Sequence, residues 1–109
     1  MEKISIEKIP LLENPDKKLV RLLKEKGIED SEAMEFLMNW TREQEELVSN
    51  SNESIQFNLL RTRLYFDAGY TEEAFENYED LLLQVSNEGK DELYEEIIKE
   101  RDEKIASLE

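Results

Sequence analysis

Apolar side chains recur along this chain at intervals of three and four, in blocks separated by short polar or glycine-bearing breaks. That period marks amphipathic helices that turn one face toward a shared core. The first block puts Leu19, Val20 and Leu23 on one stripe. Asn14 is a candidate cap for it, Pro15 fits the first helical position, Asp16 suits the positive helix end, and Gly27 after Lys24 and Lys26 marks the stop. The second block opens at Asp30 or Ser31 and carries Ala33, Met34, Leu37, Trp40 and Thr41, closing on Leu47 and Val48. The run Ser49-Asn50-Ser51-Asn52 is short-chained and turn-prone, and reads as a loop.

A third helix is expected from about Ser54 to Ala68, with Ile55, Phe57, Leu59, Leu60, Leu64, Tyr65 and Phe66 spread round most of its circumference. A helix apolar nearly all round is a buried one, so this helix is expected at the centre, ending at Gly69. The fourth starts at Thr71, whose hydroxyl is the expected cap, and lines up Ala74, Phe75, Tyr78, Leu81, Leu82 and Val85. The turn Ser86–Gly89 leads to a fifth helix over about Lys90 to Ser107, apolar at Leu93, Tyr94, Ile97, Ile98 and Ile105 and charged on its outer face. Trp40 falls on its stripe and is expected in the core. Phe36, Met38 and Leu83 fall off theirs, and are expected to touch other helices or form a self-associating patch. Residues 1–13 differ, because Ile4, Ile6 and Ile9 alternate with polar residues before Pro10. They read as an extended or loosely ordered arm. The expected fold class is all-α: a five-helix antiparallel αα-hairpin stack in a single domain over 14–109.

Composition narrows the chemistry. The 109 residues include no Cys and no His, which removes disulfides, thiolate metal sites, and the commonest general base and metal ligand. With 28 acidic and 14 basic residues the formal charge is −14, which disfavours direct nucleic-acid binding. No run of apolar residues is long enough for a membrane span, no signal-peptide pattern opens the chain, and a cytoplasmic setting is expected. The charge is uneven. Residues 29–53 carry one basic and eight acidic side chains, and residues 71–109 carry a net −10, whereas 1–28 and 54–70 are slightly basic.

The segment Ile55–Glu88 holds Tyr65, the turn Ala68-Gly69-Tyr70-Thr71-Glu72-Glu73-Ala74, and Tyr78 four residues after Ala74. It resembles one tetratricopeptide repeat. In that pattern a small Ala74 lets two helices approach closely, Gly69 permits the reversal, and the two tyrosines fill space between helices. Asn58 stands where the family has a bulky aromatic, Arg61-Thr62 where it has leucine-glycine, and Ser86 where it has proline. Residues 15–48 look like a degenerate first repeat, with Ala33 in the part of Ala74, and the fifth helix looks like the capping helix that closes such arrays. Tyr70 is expected to pack against that fifth helix.

The resemblance implies a non-enzymatic protein–protein interaction module, whose first helices line a concave face. Carried onto this sequence, the partner-binding residues are Gln56, Leu59, Arg63 and Phe66. Arg63 occupies a position where chaperone-binding relatives need Asn, so a chaperone C-terminus is not the expected ligand. The arginines of helices one and three, Arg21, Arg61 and Arg63, are read either as groove residues or as ion-pair partners of glutamates on adjacent helices.

No cofactor or metal is expected. The strings Glu43–Glu46 and Glu95-Glu96 read as solvated faces, Asn87–Asp91 lacks calcium-loop spacing, and no glycine-rich phosphate loop precedes a helix. Enzyme activity is not expected, and the partner is another protein or peptide. The alternatives are an acidic nucleic-acid mimic that blocks a basic nucleic-acid-binding protein, and a structural self-associating subunit. A homodimer would serve to cover the open end of so short a stack.

Overall fold

The computed structural model describes residues 16–108. Five helices follow one another: α1 Lys17–Lys26, α2 Ser31–Leu47, α3 Ser51–Asp67, α4 Thr71–Asn87 and α5 Asp91–Ser107. Among the described residues there is no strand, and the fold is all-α. Three- and four-residue turns join neighbours, so consecutive helices run antiparallel. The principal extents are 41 × 34 × 18 Å, about two helix diameters thick.

Local chemistry sets the helix ends. Asp16 itself caps α1, its Oδ1 accepting from the amides of Lys18 (2.8 Å) and Leu19 (3.1 Å). Asn14 and Pro15, expected to begin the helix, lie outside the described residues, as does the arm over 1–13. Asp30 caps α2 through Ala33 N–H at 3.0 Å. The helix α3 starts at Ser51, three residues before the expected Ser54. Asn50 Oδ1 accepts from Glu53 N–H (2.9 Å), and Glu53 Oε1 reaches back to the amide and hydroxyl of Ser49, both at 2.8 Å. The polar run that reads as a loop is therefore the cap and first turn of a helix, a reciprocal arrangement close to a capping box. Thr71 is the first helical residue of α4, and no side-chain cap bond is made there.

The turns after α3 and α4 share one geometry. Gly69 and Gly89 sit at φ +95° and +71°, and the amides of Tyr70 and Lys90 return to the carbonyls of Tyr65 and Val85 at 2.8 and 3.2 Å. Both are the left-handed glycine stop expected of a helix C-terminus.

The core divides into two clusters, and α3 belongs to both. Leu19 and Leu23 of α1, Ala33, Leu37 and Trp40 of α2, and Phe57, Leu60 and Leu64 of α3 make the first. Ile55 of α3, Tyr78, Leu81, Leu82 and Val85 of α4, and Ile97 of α5 make the second. The central helix expected from its all-round apolar pattern is thus observed. Of the helix pairs, α3 and α4 pack most closely, and Ala74 is fully buried. Each fully buried leucine contributes about 1.5–3 kcal/mol through removal of apolar surface from water.

Candidate functional site

Arg63 projects from α3 toward α5, where Glu100 meets it in a two-point ion pair. Nη2 donates to Oε1 at 2.7 Å and Nε donates to Oε2 at 3.0 Å. Tyr78 of α4 donates its hydroxyl to the same Oε2 at 2.6 Å. One carboxylate therefore ties three helices together. Burial alone would raise the Glu100 pKa, but the Arg63 and Tyr78 hydrogen bonds outweigh it and hold the carboxyl below its ordinary range. Burial, then the bond to Glu100, pushes the Tyr78 hydroxyl well above its usual value.

Phe66 lies one turn further along the same side of α3. Its ring meets Phe75 of α4 at 6.1 Å, and the Lys104 ammonium sits 4.7 Å from its centroid. Leu59 packs, partly buried, on the second core, and Gln56 is half-buried near the start of the helix. The four sequence-predicted residues therefore do not form a bare row. Leu59 is packing, Arg63 is bound to α5, and Phe66 stays in a groove of about 470 Å³ between α3 and α5 with Lys104, Glu103 and Ser107. Of the two readings for the arginines, Arg63 takes the ion-pair one. Glu100 was hidden as one more glutamate in a charged run, although it falls three residues after buried Ile97, on the inner face where an acid needs a partner.

Arg61 behaves differently. Its guanidinium lies 5.3 Å from the Phe57 ring centroid, and Nη2 donates to Asn58 Oδ1 at 3.2 Å. It stands on the rim of a second groove, about 410 Å³, between α2 and α3. Met34, Met38 and Tyr65 give this cleft apolar walls, Arg42 faces it from α2, and Glu45 is its one acid. In the sequence Met38 is only an off-stripe residue, and no spacing brings it and Arg42 together with Arg61 and Tyr65. Smaller grooves of about 280 and 320 Å³ lie beside Phe36 and Trp40, and beside Leu82 and Leu83.

Tyr70 corrects an expectation. It turns away from α5 to the α1–α2 turn, where its hydroxyl accepts from Ile28 N–H at 2.7 Å and donates to the Leu23 carbonyl at 3.3 Å. The cause is geometric: the Leu23 carbonyl at the end of α1 and the Ile28 amide beyond Gly27 converge where a phenol can serve both. Asn58, at the position of the family aromatic, instead donates through Nδ2 to Gln84 Oε1 at 2.8 Å, and Gln84 Nε2 donates to Ser54 Oγ at 3.2 Å.

Among the described residues no helix is long and apolar enough to cross a membrane, and no group of three acids is arranged to hold a metal ion. Comparison with known proteins adds nothing to this geometry: no family model, no curated protein and no solved structure matches the chain.

Proposed function

We propose that this chain is a non-enzymatic protein–protein interaction module of tetratricopeptide-like type, in which helical hairpins stack and an open groove receives a partner. The observation that carries the reading is α3, gripped by α4 behind it and tied to α5 beside it through Arg63 and Glu100, with a groove left open between α3 and α5. Phe66 offers the groove an aromatic surface and Lys104 a cationic donor, while the Ser107 hydroxyl, which donates to the Lys104 carbonyl at 2.7 Å, can only accept. The partner is another protein or peptide, bound without cofactor or covalent chemistry.

A photo-crosslinking amino acid placed at exposed Ser107, inside the groove, tests this directly in the cell that makes the protein. Covalent adducts with a second protein are expected from that position and not from Glu95, on the charged outer face of α5. Adducts only between copies of this chain would replace the module with a self-associating subunit. No adducts from either position would remove the groove as a binding site.

The net −10 over residues 71–109 favours a second reading, an acidic mimic that occupies a basic nucleic-acid-binding cleft. Such a complex dissolves steeply as salt rises, and its adducts would form at Glu95 rather than at Ser107.

A further inference from the structure

We propose that the cleft between α2 and α3 docks an acidic amphipathic segment of a partner protein, apolar side chains on Met34, Met38 and Tyr65, carboxylates on Arg42 and Arg61. The proposal rests on the interaction-module reading and gives that module a second surface with a defined ligand chemistry.

Charge selects this cleft. Residues 29–53 hold eight acids and one base, and the base is Arg42. It shares the cleft with Arg61 of the facing helix, against the single acid Glu45. The groove between α3 and α5 has the opposite balance, with Arg63 and Lys104 set among Asp67, Glu100 and Glu103. There Arg63 is already consumed by Glu100. Among the described residues neither Arg42 nor Arg61 enters an ion pair. On a chain of charge −14, a carboxylate is repelled from most of the surface and attracted at this rim.

Geometry supports the same ligand. The Arg61 guanidinium lies over the Phe57 ring and donates once to Asn58, which orders it while leaving most of its donors for a carboxylate. Met38 is 56% exposed at the mouth, unlike the buried Leu37 beside it. Methionine is flexible and polarisable, and suits a surface that must adapt to several apolar side chains. A volume of about 410 Å³ lies in the range of pockets that seat a small group of such side chains.

The test pans a random linear peptide display library against the full chain. The enriched peptides are then synthesised and titrated against the wild-type protein, R42E, R42E/R61E and F66D. Enriched sequences are expected to set Asp or Glu next to Leu, Ile or Phe. Their binding should shift the Met34 and Met38 methyl resonances and weaken at least tenfold in R42E/R61E at unchanged circular dichroism. R42E alone changes an exposed position and keeps the test readable if loss of Arg61 disturbs packing, with a fall of several-fold expected. Basic or uncharged consensus sequences, unmoved methionine methyls, or binding that survives R42E would overturn the proposal. Binding that survives R42E/R61E but is lost in F66D would overturn it while leaving the module standing. Failure to enrich any peptide would count against both.

Discussion

Glu100 shows how much one side chain can organise. It accepts from Arg63 and Tyr78 at once, with only 23% of its side chain exposed. Glu100→Gln leaves a guanidinium facing a neutral amide and is expected to lower stability by about 1–3 kcal/mol at neutral pH, read by urea unfolding. The sign of the pH dependence follows from the shift. The folded carboxyl lies below its ordinary value of 4.5, so its contribution is complete above that value and is lost as pH falls through the lower folded one. The gap between wild type and E100Q should therefore close on acidification, and a gap that stays constant to pH 2 would show that the carboxylate charge is irrelevant. Tyr70 is a second such residue. Tyr70→Phe strands the amide of Ile28, while the Leu23 carbonyl keeps the Gly27 N–H at 3.0 Å, with an expected cost of about 0.5–1.5 kcal/mol by the same measurement. Gln44 is the converse case: it is buried and its Oε1 has no partner among the described residues. Gln44→Met is expected to leave stability unchanged or raise it by up to about 1 kcal/mol, because the amide oxygen is desolvated without a hydrogen bond in return.

Between helix ends and helix interiors, the interiors were the more legible. Ala33, Leu37, Trp40, Leu60, Leu64, Tyr78 and Val85 are all buried where the three-and-four spacing puts them, because that spacing is fixed by the geometry of the helix itself. Ends depend on which polar group wins a competition for free amides. Asn50 and Glu53 win it at α3, and Ser51 and Asn52 become helical although their own preference is for turns. Asn50→Ala should cost about 0.5–2 kcal/mol and raise amide exchange in the first turn of α3 before it does so elsewhere. The candidate site was legible only in part. Arg63 and Phe66 do reach the α3–α5 groove, but their partners Glu100 and Lys104 lie 37 and 38 residues away, and no local spacing announces such a meeting. Arg61 and Arg42 line one cleft, and no local spacing announces that either, since composition shows only a single base among the eight acids of residues 29–53.

At the scale of the molecule, α3 decides whether two small cores behave as one. Leu60 and Leu64 are buried in the first cluster and Ile55 in the second, while the Asn58–Gln84–Ser54 hydrogen bonds hold α3 against α4. A rigid helix shared by both clusters cannot lose one partner layer and keep the other fully packed. Unfolding should therefore be cooperative despite the thin shape. Ile97 and the chain's one tryptophan test this, because Ile97 lies in the second cluster and Trp40 in the first. Ile97→Ala removes buried methyl groups next to α4 and is expected to destabilise the fold by about 2–5 kcal/mol. If α3 couples the clusters, Trp40 fluorescence and far-ultraviolet circular dichroism will move together to lower denaturant, by the same free energy. If each hairpin is its own unit, helix signal will be lost early while the Trp40 transition stays at its wild-type midpoint, as expected of a repeat array whose neighbour coupling is weak.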